Sequence, residues 1–387
     1  MASRYFVAGS AGNNNWGQTG AGSNWSLTSG GAGGQAVPLS TDDVFIDVNS
    51  PATCTVDTSS RVCKSITAYT SWGGNLVMNQ LLTVSGQIEL GSAVTVTGTG
   101  KLESIAAPVG NHNIATRVPN LGFRGAVTHT FSGTTAYCGN LFIGSTTNAT
   151  VLNSGTIDIS GDLDLSLNST AILSGSAVLK MTGTGQVKYP SSTGVLRNNL
   201  EIDTSGTITF ATGTFRYNTG TITHTAGTVD ASGCDLNIVA ATTLDCGSAV
   251  TWKTINVTGT TTLTLTSDCY VSGLATLAGT TLTTTLTGSK LYVGGGLTIN
   301  GTTGIITGTT EIVLNGTGTF TVATTTGLHA CKLTIDAGAG TITTSGTIRY
   351  PFDQIKYTSG TVVTANGTWA KAGLVAKQVL VQSIGTY

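Results

Sequence analysis

The sequence predicts an all-β protein: a parallel β-solenoid, namely a right-handed β-helix of about 21–22 residues per turn. Three observations predict it. Short β-prone runs follow one another closely, Gly, Asn, Ser and Thr separate them, and similar segments recur at fixed distances. Charged residues make up only 9% of the chain and about a fifth of it is Thr, a composition that excludes helical bundles, coiled coils and a charged disordered tail.

Alternation of apolar and polar residues indicates the individual strands. Leu263–Thr266 and Ile157–Ile159 alternate, which is typical of a strand with one side inward and the other toward solvent. Thr suits the outward positions because its branched Cβ favours an extended backbone. No segment shows a convincing helical period; even residues 365–381 are interpreted as strand and loop.

Internal repeats distinguish a solenoid from tandem sandwiches or a large barrel. The segment Gly213–Tyr217 recurs as Gly346–Tyr350, and a Gly-Thr-Gly motif begins at Gly98, Gly183 and Gly316. The later copies lie 133 residues apart and the earlier two 85 apart. If all copies occupy equivalent places, these distances are whole numbers of turns, about six and four, which gives the period stated above. We therefore predict the three motif glycines at equivalent corners of the coil.

The first 50 residues differ from the rest and are predicted to form a cap. They are rich in Gly, poor in strand patterns and contain Trp16 and Trp25, which we expect to pack in the cap core with Phe6 and Phe45. A solenoid must cover its first turn or polymerise end to end. The predicted β-helix body covers residues 51–370 with an irregular, loop-rich part at 105–140, and a C-terminal strand or tail covers residues 371–387.

The opening of the chain resembles a known family. Its order of motifs is Arg-Tyr-aromatic-Val, Trp, Trp-Ser, Ser-Gly-Gly-x-Gly-Gly, Val-Pro and Asp-Asp-Val-Phe-Ile-Asp. This order is similar to that of phage and environmental-virus structural or tail-fibre-like proteins with β-solenoid bodies. The similarity covers about the first 100 residues, and Phe6 and Ala8 stand where the family usually has Trp and Gly. The resemblance implies a virion protein, a homotrimer, and docking to other virion proteins through the cap.

Charge and cysteine content exclude several functions. The net charge of −1 does not suit a protein that binds nucleic acid, and no apolar run approaches the ~18 residues of a membrane-spanning helix. No signal peptide is visible, so we expect assembly in a host cytoplasm and release in a virion. The seven cysteines show no metal-binding or redox spacing and are predicted to be buried free thiols, and we predict no metal and no cofactor.

Paired carboxylates are the candidates for catalysis. Asp162 and Asp164, and likewise Glu201 and Asp203, stand two residues apart, so each pair shares one side of a strand. Two such carboxyl groups could supply the acid and the base of glycosidic cleavage. The alternative is a solvated strand surface, and the repeated copy has Thr334 in the place of Glu201.

The loop-rich part of the body is the candidate contact surface. Polar and aromatic residues gathered in a longer loop suggest a protruding surface that contacts a partner, and the alternative is an irregular turn that covers a sheet edge. The residues concerned are Asn111, His112, Arg117, Phe123, Arg124, His129 and Tyr137.

The sequence thus favours a non-enzymatic structural protein of a bacteriophage particle: a tail fibre, spike or surface-decoration subunit. Stacked Thr and Asn side chains offer hydroxyl and amide groups that could bind host-surface glycans weakly, with avidity from several copies. Two alternatives remain. One is a virion-associated polysaccharide depolymerase on the same scaffold, and the other is a bacterial surface adhesin.

Overall fold

The computed structural model describes residues 2–9, 12–57, 59–105, 111–125, 127–131, 135–144, 150–166, 172–189, 194–247, 250–258, 261–278, 283–300, 305–322, 331–350 and 355–371. The chain divides into two compact units, Met1–Asp230 and Ala231–Tyr387. The sequence-based division into cap, body and tail does not contain this boundary. The predicted tail after Lys371 lies outside the described residues.

Strands are the main regular structure of the described residues, which also contain one short 3-10 turn at Gly20–Gly22. The strands up to the unit boundary are β1 (Ser3–Phe6), β2 (Trp25–Ser26), β3 (Asp43–Ile46), β4 (Thr53–Val56), β5 (Arg61–Cys63), β6 (Ser65–Ala68), β7 (Asn75–Met78), β8 (Leu82–Val84), β9 (Ile88–Leu90), β10 (Thr95–Thr97), β11 (Leu102–Ser104), β12 (Asn111–Ile114), β13 (Arg117–Arg124), β14 (Thr128–Phe131), β15 (Thr135–Gly144), β16 (Thr150–Asn153), β17 (Thr156–Ile159), β18 (Leu163–Asp164), β19 (Ile172–Ser174), β20 (Val178–Met181), β21 (Gly185–Lys188), β22 (Val195–Leu196), β23 (Leu200–Phe210), β24 (Gly213–Tyr217) and β25 (Gly220–Ile238), which crosses it.

The strands of the second unit follow in the same style. They are β26 (Thr242–Asp245), β27 (Val250–Thr258), β28 (Leu263–Leu265), β29 (Cys269–Val271), β30 (Leu274–Ala278), β31 (Thr283–Gly288), β32 (Leu291–Val293), β33 (Gly296–Asn300), β34 (Ile305–Gly308), β35 (Glu311–Leu314), β36 (Gly318–Val322), β37 (Lys332–Tyr350) and β38 (Ile355–Lys371).

The strands stack in parallel on three faces, which confirms the predicted β-solenoid. In the first unit, the first face contains β4, β7 and β10 and continues with β13, β15, β17 and β20. The second face contains β5, β8, β11, β13, β15 and β18, and the third contains β3, β6, β9, β12, β14 and β16. The pairing of Leu102 with Leu121 and of Leu163 with Val187 marks the shortest and longest turns, 19 and 24 residues, around the predicted period.

The core is the space that the three faces enclose. Alternation along each strand turns every second side chain inward, so that equivalent residues of successive turns stack. Val44, Ile66 and Ile88 are one such stack on the third face, and all three are fully buried. The second unit follows the same rule, with Ala275, Leu297 and Phe320 stacked and fully buried. The Thr-rich composition therefore supplies the outer sides of strands whose inner sides are aliphatic.

The repeated Gly-Thr-Gly motif follows a strand and precedes the next one in all three copies. Gly98 and Gly183 follow β10 and β20 and precede strands of the second face of the first unit, and Gly316 stands between β35 and β36 of the second unit. A Cβ atom on these glycines would lie 2.3, 1.9 and 2.2 Å from a carbonyl oxygen of the preceding turn, closer than any real contact. Glycine is needed here because the backbones of successive turns touch at these positions.

The N-terminal cap covers the start of the coil. β1 pairs antiparallel with β2 and parallel with β3, while the segment at Asn15 pairs with Thr55 of β4. Residues of the cap thus pair with β3, the first strand of the third face, and with β4, the first strand of the first face. Because β3 already pairs in register with β6, the coil begins at Asp43 rather than at residue 51 as predicted.

Three of the four residues predicted for the cap core are there. Phe6, Trp16 and Trp25 are fully buried, and the rings of Trp16 and Trp25 meet edge to face with centroids 4.7 Å apart. The prediction for Phe45 is wrong. Alternation in β3 turns Val44 and Ile46 inward, so Phe45 lies half-buried on the outside and stacks on Tyr5.

Asp42, which directly precedes β3, binds three residues of the cap through its side chain. Its carboxylate accepts hydrogen bonds from the backbone N–H groups of Ala2 and Leu39, at 3.0 and 3.1 Å, and from Arg4. Burial alone would raise the pKa of Asp42, but these hydrogen bonds outweigh it and hold the pKa below its ordinary value. Within the described part of the chain, no helix is long and apolar enough to cross a membrane.

Candidate functional site

The structure brings each predicted pair of carboxylates together on the outside of the first unit. Asp162 directly precedes β18, which ends at Asp164, and Glu201 and Asp203 belong to β23. The side chains of Asp162 and Asp203 are 31% and 36% exposed, so water reaches both pairs.

A lysine from a neighbouring turn is ion-paired with at least one carboxylate of each pair. Lys188 Nζ lies 2.5 Å from Asp162 Oδ2, and Lys180 Nζ lies between the other two carboxylates, 2.7 Å from Asp203 Oδ2 and 2.9 Å from Glu201 Oε1. Hydrogen bonds to Asp203 and Glu201 raise the pKa of Lys180, which therefore stays charged.

These surroundings suit ion pairing more than catalysis. A general acid for glycosidic cleavage needs a carboxyl group whose pKa is raised by burial or by a close like charge. Here the closest charged group to Asp162, Glu201 and Asp203 is an ammonium group, and Asp164 accepts the N–H and hydroxyl of Ser166 at 2.9 and 2.5 Å. The sequence analysis missed the lysines because they stand one turn away along the chain.

The predicted contact surface is corrected in part. His112, Phe123 and His129 are fully buried and therefore cannot touch a partner from outside. They lie on the inward sides of β12, β13 and β14, which continue the regular coil where a protruding loop was expected. Asn111 belongs to β12, but its side chain lies outside the described part of the structure.

The remaining three residues of the predicted contact surface are on the outside. Arg117 is 43% exposed, donates to the carbonyl of Cys138 at 2.6 Å and to Asp158 at 2.9 Å, and covers the ring of Tyr137. Arg124 is 53% exposed and donates to Glu103, which is itself almost fully covered and also paired with Lys101. Both arginines thus bind carboxylates of this chain while their outer sides face solvent.

A surface cleft lies beside Arg117, where the first face is interrupted. β10 pairs with β7 on one side, and the described strands form no ladder on its other side. The cleft, of about 550 Å³, opens there and is lined by Val94, Thr95 and Val96 from one turn and by Thr116, Arg117 and Pro119 from the next, among others.

A proline stands at the interruption. Pro119 of β13 lines the cleft, and proline has no amide hydrogen with which to donate to a neighbouring strand. Side chains replace the ladder at both ends of the gap. The Thr116 hydroxyl donates to the carbonyl of Val94 at 2.6 Å, and the Asn120 amide donates to the carbonyl of Thr99 at 3.0 Å. The signal that could have located the cleft is Pro119 itself, a proline within a strand-like run.

The described residues contain no group of three or more His, Cys, Asp or Glu side chains that could hold a metal ion. All seven cysteines are buried and none forms a disulfide, as predicted. Burial raises the pKa of Cys54 and of Cys138, so these thiols stay protonated. Cys246 and Cys269 approach most closely, with their sulfur atoms 3.5 Å apart on successive turns of the second unit.

Comparison with known proteins adds no relative. No protein-family model matches the chain, and neither a curated protein nor a solved structure matches it.

Proposed function

We propose that the chain is a non-enzymatic structural protein of a bacteriophage virion: a tail fibre, spike or surface-decoration subunit. The resemblance of its opening motifs to phage structural proteins supports this proposal, and so does the β-solenoid fold. The cap suits docking to other virion proteins because it closes the start of the coil and leaves its own outer surface for contact.

The observation that carries the non-enzymatic part is the state of the four carboxylates. Asp162, Glu201 and Asp203 are each ion-paired with a lysine, and Asp164 is bound by Ser166. An exposed ion pair of this kind contributes little to stability, about 0–1 kcal/mol. Attachment does not require a carboxyl group with a raised pKa, because hydroxyl and amide groups repeated along the coil can bind host-surface glycans with avidity.

The catalytic alternative has a direct test. Purified protein is incubated with capsule or lipopolysaccharide of a candidate host, and new reducing ends and unsaturated sugars are measured. We expect none above the level of heat-denatured protein. Release of sugars that Asp164→Asn or Asp203→Asn abolishes would establish a polysaccharide depolymerase and overturn the proposal.

Location and assembly are tested separately. Mass spectrometry of purified phage particles should detect the chain, whereas its presence on the bacterial surface in uninfected cells would identify an adhesin. Analytical ultracentrifugation should give three times the 39.1 kDa mass of one chain. A monomer at micromolar concentration would contradict the proposed homotrimer.

A further inference from the structure

Two histidines lie side by side in the core of the first unit. His112 and His129 are both fully buried, and the centroids of their rings are 5.3 Å apart. Phe123 lies 4.8 Å from His129 and 5.5 Å from His112, and Phe131 lies 5.8 Å from His112. Titratable side chains thus occupy a space that aromatic rings otherwise fill.

A chain of hydrogen bonds assigns the tautomer of each ring. The backbone N–H of Ile88 donates to His112 Nδ1 at 3.2 Å, so this nitrogen is an acceptor and the neutral ring carries its proton on Nε2. That Nε2–H donates to His129 Nδ1 at 3.1 Å, so the proton of His129 is also on Nε2. His129 Nε2 is buried and has no hydrogen-bond partner among the described residues.

No charged side chain faces the two rings from the described strands around them. Glu89 of β9 and Glu103 of β11 occupy the alternate, outward positions of their strands, and Glu103 is paired with Lys101 and Arg124. Arg117 and Arg124, at the two ends of β13, are exposed. β14 and β16 carry no charged residue, and the uncharged Ser104 hydroxyl lies 3.5 Å from His129 Nδ1.

We propose that the His112–His129 pair is an acid-sensitive junction, which holds β9, β12 and β14 together while both rings are neutral and separates them when either ring binds a proton.

The geometry makes one proton sufficient. In neutral His112 the nitrogen without a proton is Nδ1, which accepts the N–H of Ile88, so a proton added there would oppose that N–H. In neutral His129 it is also Nδ1, which accepts the Nε2–H of His112, so a proton added there would oppose that N–H. Either proton therefore replaces a hydrogen bond by two facing donors, and it adds a charge to a buried site.

Burial accordingly lowers the pKa of His112 to about 4 and that of His129 to about 3, the latter also through the neighbouring His112. Unfolded or locally opened chain binds the proton at the ordinary pKa of 6.5. Between pH 7.5 and pH 4.5 the equilibrium constant for opening should therefore rise about a hundredfold for one such histidine.

Hydrogen–deuterium exchange with mass spectrometry tests the proposal on the full chain. Exchange is compared at pH 7.5 and 4.5, with labelling times scaled for the intrinsic effect of pH. We expect peptides covering residues 111–131 to exchange on the order of a hundredfold faster at pH 4.5. Peptides covering residues 178–188 of the same chain serve as the internal reference and should change much less.

Two variants separate the histidine pair from other effects of acid. In the double variant His112→Leu/His129→Leu the acid-induced acceleration at 111–131 should disappear. In His224→Leu, which removes a half-buried histidine whose Nε2 bonds the carbonyl of Gly227, it should persist. An unchanged acid response in the double variant, or no acceleration in the wild type, would overturn the proposal.

A measurement on the wild type covers the case in which the double variant does not fold. Nitrogen-15 NMR of the histidine rings reports both tautomer and titration. We expect two rings with protonated Nε2 and bare Nδ1 that do not titrate between pH 8 and 5. Titration of all the rings above pH 6, or Nδ1–H tautomers at this pair, would refute the junction.

Discussion

Phe6, Trp16 and Trp25 close the N-terminal end of the first unit, whereas His112, Phe123 and His129 fill its interior several turns later. Both groups bury aromatic rings completely. In the cap, Trp25 Nε1 donates to the carbonyl of Trp16 at 2.8 Å, a bond between groups that do not titrate. In the interior, the corresponding bond joins two imidazoles.

The difference shows how the same packing requirement yields different sensitivities. Rings that only fill volume stabilise the chain at any pH, whereas imidazole rings do so only while they are neutral. Replacing a cap ring by alanine should therefore lower the free energy of unfolding most. Replacing the two histidines should change the dependence of stability on pH most.

Trp25→Ala should have the largest effect. Removal of a fully buried indole leaves a cavity and removes the donor to the Trp16 carbonyl, so the free energy of unfolding should fall by about 3–5 kcal/mol. Urea denaturation followed by circular dichroism measures the change. Trp72→Ala is the matched control, because Trp72 is only half-buried and bonds Pro51 at the surface. Equal losses in the two variants would contradict the role given to the cap core.

The double variant His112→Leu/His129→Leu should lose less at pH 7.5. Leucine retains most of the buried apolar contact, and the main cost is the Ile88 N–H left without its acceptor, about 1–3 kcal/mol. The same urea experiment measures it. A loss as large as that of Trp25→Ala would mean that the imidazole rings contribute mainly through their volume.

Acid should affect the two regions in different ranges of pH. The pKa values of His112 and His129 are lowered from 6.5 to about 4 and 3, so their contribution is complete above pH 6.5 and lost as the pH falls toward 3. The pKa of Asp42 is also lowered, from 3.8, so its contribution is complete above that value and lost only below it.

Melting temperatures between pH 8 and pH 3 distinguish these contributions. Asp42→Asn should melt lower than wild type at pH 7 and approach it below pH 4, while its response between pH 6.5 and 4.5 stays that of wild type. The histidine double variant should lose most of the wild-type response between pH 6.5 and 4.5 and should keep the response below pH 4. A single acid transition shared by both variants would show that the two regions do not respond separately.

Phe45→Ala should have the smallest effect. The ring is half-exposed and contributes mainly its stacking on Tyr5, with centroids 5.1 Å apart, so the loss should be about 1 kcal/mol. Phe6→Ala, on the inward side of the same cap, should cost about 3–5 kcal/mol. Similar losses at the two positions would place Phe45 back in the core, where the sequence analysis had it.

The coil itself could be predicted from the sequence because its period leaves copies at whole numbers of turns. Once Gly98, Gly183 and Gly316 are aligned, both the turn length and the type of corner follow. Burial of Trp16 and Trp25 was predictable too, because a Gly-rich segment with so few large side chains can close the coil only with them.

The orientation of particular side chains could not be predicted in the same way. Val44, Phe45 and Ile46 are all apolar, so alternation alone does not say which of them points inward, and the pairing of β3 with β6 decides it. The histidines were assigned to the surface because the hydrogen bonds that make burial tolerable come from other turns. Likewise, the lysines that pair with these carboxylates stand 21 to 26 residues away from them along the chain.

The glycine corners also constrain how the chain can change in length. Each motif glycine lies against a carbonyl group of the preceding turn, and Gly98 alone of the three has a positive φ, of 94°. A genetic duplication or deletion that adds or removes whole turns keeps every inward side chain in place. One that shifts a strand by a single residue moves its apolar side chains to the solvent side. The segments repeated 133 residues apart are spaced by about six such turns. Descendants of this chain can therefore be longer or shorter by entire turns without evolving a new interior.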